Sequence, residues 1–334
     1  MIKTLIVDDS KLVRSIIRDF LESEGSFEII AEAENGKEGI NKARELNPDL
    51  ITMDYQMPVI NGLDAVTEIR KFSSCGIVVI STHDTAKMAY EAAVKGAHEF
   101  YAKDIFTAQM NDRQRSNIYN TLKHITKLKR KAPVLTEYKK NIKPHSKINC
   151  IVIAASTGGP MALCQLCSSL PADFPVPVLL VQHNTSGFDK GFVHWLDGYS
   201  RLKIHLAEEG IIPFKGNIYV APTDKHLVLG DNGIEFDDSE PINNQKPAAD
   251  ILFKSAAKKY GNSLVGLVLT GMGDDGAEGI RFIKKAGGIT ISQDEASSMI
   301  YGMPQAAFET GCVDIVLPLN EIAGKLTALS GEKY

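Results

Sequence analysis

The chain has 334 residues, 44% of them hydrophobic and 23% charged, with a formal net charge of -4 at pH 7. That length exceeds one ordinary core, so two domains of globular composition are expected, and the charge offers no electrostatic reason for nucleic acid or an anionic membrane as main partner. No apolar run approaches the roughly 18 residues of a membrane span, and the apolar stretch of "MIKTLIVDD" is too short for a secretory signal, so a cytoplasmic protein without membrane insertion is expected.

In chain order, the first half alternates short β-branched runs with amphipathic helices. Strands are predicted at "TLIVD", "FEIIAEA", "LITMD", "GIVVIS" and "EFYAK". The helix "KLVRSIIRDFLESE" places Leu12, Ile16, Ile17, Phe20 and Leu21 on one face, and a last helix over residues 107–128 closes the unit. Such alternation implies right-handed crossovers and a parallel, doubly wound α/β sheet covered on both sides.

Chemistry collects at the strand ends. Asp8 and Asp9 follow the first strand, Asp54 ends the third, Ser81 the fourth and Lys103 the fifth. Ligands of doubly wound sheets sit at the carboxyl ends of strands near the topological switch. Three carboxylates there repel unless a cation lies among them. Oxygen-only donors suit Mg²⁺, which favours phosphate oxygens as further ligands, and a hydroxyl and an ammonium on the same rim suit a phosphoryl group. Each aspartate alone would be an ordinary turn former; their convergence favours a phosphoryl site.

The motifs "VDDS", "MDYQMPVINGLDAV", "VVIST" and "FYAKD" resemble those of the response-regulator receiver domain. The resemblance implies a five-stranded flavodoxin-like fold and phosphorylation of Asp54 from a phosphohistidine of a sensor histidine kinase. It implies Mg²⁺ held by Asp9, Asp54 and the carbonyl of Gln56, with Asp8 acting through water. Ser81 then takes the switch-hydroxyl role, Lys103 the phosphate-binding role and Phe100 the aromatic switch position. Receivers usually carry Lys-Pro where this chain has Lys103-Asp104, and the aim of Lys103 turns on that difference.

Residues 129–147, basic, with two prolines and no sustained apolar period, read as a linker between domains at 1–128 and 148–334. From Ile148 a second α/β domain begins, with buried strands at "INCIVIAAS", "VPVLLVQH", "NSLVGLVLT" and "GGITISQ". The turn signals "PTD" and "GDNG" in residues 217–236 suggest antiparallel hairpins added to a mostly parallel, Rossmann-like sheet. Of five scattered cysteines, Cys164 and Cys167 form a C-x-x-C, but inside a predicted helix, where they read as small apolar residues.

Ser156 stands at a strand-to-helix bend in "AASTGGP". No lysine follows as in a P-loop; the loop is closer to a nucleophile elbow, with Ala154 in place of its first glycine. Pro160 opens the next helix, whose dipole would favour negative charge near the serine. A serine nucleophile needs a base, and that base a carboxylate. His183 follows the next buried strand, and Asp274 and Asp275 lie between a later strand and helix. Separately these residues read as a cap, a packed histidine and an N-cap; together they suggest a triad.

"ASTGGP", "VQHN", "GNIYVAPTDKHL", "LTGMGDDGAEG" and "SQDEASSMIYGMPQAA" resemble the catalytic domain of chemotaxis protein-glutamate methylesterase, a family that also joins a receiver to its catalytic domain through a linker. The resemblance implies Ser156 as nucleophile, His183 as general base and Asp275 as the carboxylate, with Thr157 and Met272 as oxyanion-loop candidates. It implies hydrolysis of glutamate γ-methyl esters on methyl-accepting chemoreceptors, deamidation of receptor glutamines, and relief of a covered cleft when Asp54 is phosphorylated. No cofactor is expected for the ester chemistry, and the chain is expected to be monomeric. Asn184-Thr185-Ser186 and "KPAAD" differ from the family's common Met-Pro-Pro and Arg-Pro-Ser-Val-Asp near the expected substrate cleft. A non-catalytic signalling adaptor is the alternative reading; a DNA-binding regulator would need a helix-turn-helix or basic recognition element, and residues 148–334 show none.

Overall fold

The computed structural model describes residues 1–82, 86–106, 112–127, 146–184, 187–243 and 245–331. All but the last two residues of the expected linker lie outside these, as do Thr185 and Ser186. The chain forms two compact units, Met1–Lys131 and Ala132–Tyr334.

The first unit alternates β1 (Ile2–Val7), α1 (Lys11–Glu22), β2 (Phe27–Ala33), α2 (Gly36–Leu46), β3 (Leu50–Asp54), α3 (Gly62–Arg70), β4 (Gly76–Ser81), α4 (Ala86–Val94), β5 (Glu99–Ala102) and α5 (Asp112–Lys127). Its five parallel strands run in the order β2-β1-β3-β4-β5. Central β3 and β4 are buried along their whole length, whereas edge strands β2 and β5 keep partly exposed positions, as expected where helices cover both faces. Ser10, Asn35 and Asn61 cap α1, α2 and α3, each side chain accepting a backbone N–H of the first turn.

Helix α1 corrects one expectation. Leu12, assigned to the apolar face, is 70% exposed, and Arg14 is buried instead. Burial of the guanidinium is compensated because its donors are met: Nε by Glu32, Nη2 by Glu34, and Nη1 by the carbonyls of Asp8 and Asp9.

The second unit comprises β6 (Cys150–Ala155), α6 (Gly159–Ser169), β7 (Val178–Gln182), α7 (Asp189–Asp197), β8 (Lys203–Leu206), β9 (Asn217–Val220), β10 (His226–Gly230), β11 (Gly233–Asp237), α8 (Ala249–Tyr260), β12 (Leu264–Val268), α9 (Ala277–Lys285), β13 (Ile289–Gln293), α10 (Met303–Glu309), β14 (Ile315–Leu317) and α11 (Leu319–Gly331). Seven strands form a parallel sheet in the order β14-β13-β12-β6-β7-β9-β8. Of the expected hairpin strands only β10 and β11 pair antiparallel, around "GDNG"; β9 joins the main sheet. Its alternative, a hairpin with β10, would leave Ile218 and Val220 without the β7 partner that buries them. Strands β8 and β14, four and three residues long, carry too short a pattern to have been predicted.

One face of this sheet buries Val152, Leu179 and Val181 against Leu252 and Phe253 of α8 and Ile280 and Ile283 of α9. Cys164 and Cys167 lie within α6; burial pushes the Cys167 thiol up to about 12 and raises Cys164 as well, and all five cysteines are free thiols. No described helix is long and apolar enough to cross a membrane.

Strand order locates both candidate sites. The chain goes from β1 to one side and returns to β3 on the other, and from β6 it builds through β7 before returning to β12. Each reversal opens a crevice at the strand carboxyl ends.

Candidate functional sites

In the first unit that crevice holds Asp8, Asp9 and Asp54, whose carboxylate oxygens lie within 4.8 Å of one another. Asp8 and Asp54 are buried and Asp9 is exposed. Lys103 opens a 3-10 turn, Lys103–Phe106, and places Nζ 2.8 Å from Asp8 Oδ2 and 3.0 Å from Asp54 Oδ2. The one cis peptide among the described residues is Lys246-Pro247, so Lys103 reaches the pocket with a trans bond to Asp104. Burial, and then the charge of Asp8, push Asp54 up to about 6, against Lys103 and the Gln56 N–H. Burial lowers the Lys103 ammonium, but Asp8 and Asp54 outweigh it and hold it above its usual range.

Ser81, 1% exposed, ends β4 beside this pocket, and Phe100 packs on the core formed by Val7, Met53 and Val79. Asp8 Oδ2 is buried, with the Lys103 ammonium 2.8 Å away and the Asp9 and Asp54 carboxylates within 4.8 Å. Clustered carboxylates with a buried lone pair fit a hard divalent cation. Arg14, unmarked in the sequence reading, ties down the Asp8 and Asp9 carbonyls from α1. An arginine in the polar turn of an amphipathic helix gives no signal of that contact.

In the second unit the crevice gathers Ser156 after β6, His183 after β7 and the loop carrying Asp275 after β12. Strand pairing sets Ala155 opposite Gln182, so Ser156 and His183 leave adjacent strands. His183 N–H donates to the Ala155 carbonyl at 3.0 Å and Ser156 N–H to the Thr270 carbonyl at 3.1 Å. His183 Nε2 lies 2.7 Å from Asp275 Oδ2, with side chains 6% and 2% exposed. The other ring nitrogen, Nδ1, is buried and has no partner. Among the described residues no hydrogen bond joins Ser156 Oγ to the ring; such bonds are often long before substrate binds.

The bend itself is local chemistry. Gly158 has φ 77°, a conformation that costs glycine little, and Gly159 N–H closes the turn onto the Ser156 carbonyl at 2.7 Å. Thr270, 1% exposed, braces the loop: its hydroxyl lies 3.0 Å from the Thr157 carbonyl and accepts the Ile300 N–H at 2.9 Å. Thr157 and Met272, the oxyanion-loop candidates, are half-buried in these two loops.

Asp275 is no cap for its own helix. Its carboxylate accepts the N–H groups of Ala249 (2.7 Å) and Asp250 (3.0 Å) at the start of α8. Asp250 in turn accepts those of Gly276 (2.9 Å) and Gly279 (2.6 Å) at the start of α9. Asp274 is exposed. Burial pushes the Asp250 carboxyl up to about 6, opposed by the Gly279 N–H and reinforced by Asp275. Gln182 and Thr270 went unmarked in the sequence, and Asp250 entered only as the last residue of "KPAAD", without a role; the signal available was a polar residue closing each apolar or turn segment, which does not distinguish structure from site.

Fold and crevices define a receiver unit combined with an esterase-like α/β unit, and comparison with known proteins agrees. Residues 4–115 match the family model of the response regulator receiver domain, and residues 151–326 that of CheB methylesterase. The chain is 38% identical over 336 residues to the protein-glutamate methylesterase/protein-glutamine glutaminase of Pyrococcus horikoshii, covering 96% of this chain and 91% of the relative. It is 39% identical over 337 residues to that of Clostridium acetobutylicum, covering 97% and 96%. The crystal structure of the Thermotoga maritima CheB methylesterase catalytic domain aligns with a TM-score of 0.54 at 38% identity, covering 55% of this chain and 100% of that domain. The chain belongs to the protein-glutamate methylesterase/protein-glutamine glutaminase family.

Proposed function

We propose that the chain is a cytoplasmic, monomeric response regulator in which a receiver, residues 1–128, joined by the linker 129–147 to a catalytic domain, residues 148–334, controls hydrolysis of glutamate γ-methyl esters on methyl-accepting chemoreceptors. The observation that carries this reading is the buried His183–Asp275 pair, 2.7 Å apart, with Nδ1 unpartnered on the strand next to Ser156.

Ser156 Oγ attacks the ester carbonyl while its proton passes to His183 Nδ1. Asp275 holds Nε2–H, fixing the tautomer and stabilising the imidazolium. The oxyanion forms against the start of α6, with the Thr157 and Met272 amides as its donors. Collapse breaks the carbonyl–methoxy bond; the imidazolium protonates the leaving oxygen, releasing methanol and leaving an acyl-enzyme. Water, deprotonated by the same ring, attacks the acyl carbon, and the second collapse frees the glutamate carboxylate and reprotonates Ser156. A glutamine side chain follows the same course with ammonia leaving. These steps use side chains and water, with no cofactor.

In the receiver, Asp54 accepts the phosphoryl group of a sensor kinase phosphohistidine. Asp8, Asp9, Asp54 and the Gln56 carbonyl would hold Mg²⁺, which neutralises phosphoryl oxygens when bound. Lys103 and Ser81 meet those oxygens and Phe100 serves as the aromatic switch. Phosphorylation raises the esterase rate.

Methanol release from methylated receptor membranes, with and without a small-molecule phosphodonor, tests both halves. Ser156→Ala is expected to abolish release, and retained release would overturn the nucleophile assignment. The phosphodonor is expected to stimulate wild type and not Asp54→Ala; equal rates throughout would remove receiver control.

A further inference from the structure

The loop that carries Asp275 has no cap of its own. The N-cap residues, Gly276 of α9 (φ 94°) and Ala248 of α8, supply no side-chain acceptor to the first N–H groups of their own helices. Four unpaired N–H groups at a buried helix start must find acceptors, and here the two helices supply each other's. Asp275, just before α9, takes the amides of α8; Asp250, in the first turn of α8, takes those of α9.

The exchange constrains the site. Asp275 Oδ2 is shared between Ala249 N–H and His183 Nε2, both at 2.7 Å, while Oδ1 is held by Asp250 N–H at 3.0 Å. The carboxylate therefore cannot rotate away from the imidazole without releasing α8. Its own backbone is fixed by Asp250 Oδ1, which grips Gly276, the next residue, and Gly279 one turn on. We propose that Asp250 is a positioning residue of the esterase: among the described residues its hydrogen bonds go to Asp275, Gly276 and Gly279, and it acts by setting the place of Asp275. The inference rests on the Ser156–His183–Asp275 reading.

The test compares full-length wild type, Asp250→Ala, Asp250→Asn and Ser156→Ala in methanol release from methylated receptor membranes. KM and kcat are measured separately, and folding is checked by circular dichroism. Asp250→Ala is expected to lower kcat at least tenfold with KM within twofold. Asp250→Asn keeps an acceptor oxygen for the two amides and is expected to recover kcat to within threefold of wild type. A folded Asp250→Ala with wild-type kcat overturns the proposal, as does Asp250→Asn no more active than Asp250→Ala. If Asp250→Ala does not fold, Asp250→Asn decides alone: kcat within threefold supports the clamp and a tenfold loss overturns it. Activity retained in Ser156→Ala would instead show that the triad reading itself had failed.

Discussion

Gln182 ties Ser156 to His183 through their backbones: its Nε2 lies 3.0 Å from the carbonyl of Ser156 and 3.0 Å from that of His183. Gln182 is 2% exposed, so its amide group takes a place that water would otherwise fill, beside the Gly159 N–H that also reaches the Ser156 carbonyl. Gln182→Leu keeps the volume and removes the donors. It is expected to cost about 1–3 kcal/mol of stability, read as a lower denaturant midpoint, and to reduce kcat by displacing the Ser156 turn.

Gly271 is a second point of close approach. A Cβ there would meet Met303 Sδ and stand 2.8 Å from Ser156 Cβ, closer than packed atoms tolerate. Gly271→Ala should push the serine off line. Misplacement approaching 1 Å costs on the order of 100-fold in rate, so a kcat loss between about 10- and 100-fold is expected, with little change in secondary structure by circular dichroism. Unchanged kcat would show that Met303 alone yields.

Ser156 and Asp275, the two ends of the proposed triad, should respond differently to truncation. Ser156 Oγ makes no hydrogen bond among the described residues, whereas Asp275 seals the start of α8. Ser156→Ala is therefore expected to remove activity with an unaltered melting temperature. Asp275→Ala should remove activity and also lose about 1–2 kcal/mol, the usual worth of a lost cap. Calorimetry of both variants checks this; equal melting temperatures would contradict the capping role.

The receiver pocket predicts a pH signature. Asp54 titrates at about 6 when folded, against roughly 3.9 unfolded. The native state thus holds a proton that the unfolded chain has released between those values. This group's stabilisation is fully present below about 4 and is lost as pH rises through about 6. A cation competes with that proton, so Mg²⁺ affinity by titration calorimetry should fall as pH drops from 7 to 5. Asp54→Asn should flatten both dependences; an Mg²⁺ affinity constant over that range in wild type would refute the linkage.

The sequence by itself determined most of the elements and which candidate groups stand at strand ends. Runs such as "LITMD" and "GIVVIS" match β3 and β4 residue for residue, because strands buried on both faces announce themselves by uninterrupted apolar character. The strand-end positions of Asp54, Ser156 and His183 followed from the same runs. What only tertiary structure decided was which polar groups meet. Leu12 faces outward and Arg14 inward because acceptors on and just after β2 and in the Asp8–Asp9 turn converge on one guanidinium, and periodicity within a single helix carries no record of acceptors elsewhere. Likewise β9 pairs in parallel with β7 rather than turning back on β10, a choice made by burial across the sheet. The exchange of caps between Asp250 and Asp275 links residues 25 apart in sequence. Hydrogen-bond partners of buried polar groups are set by where helices come to rest, and a linear pattern of residue types cannot encode that distance.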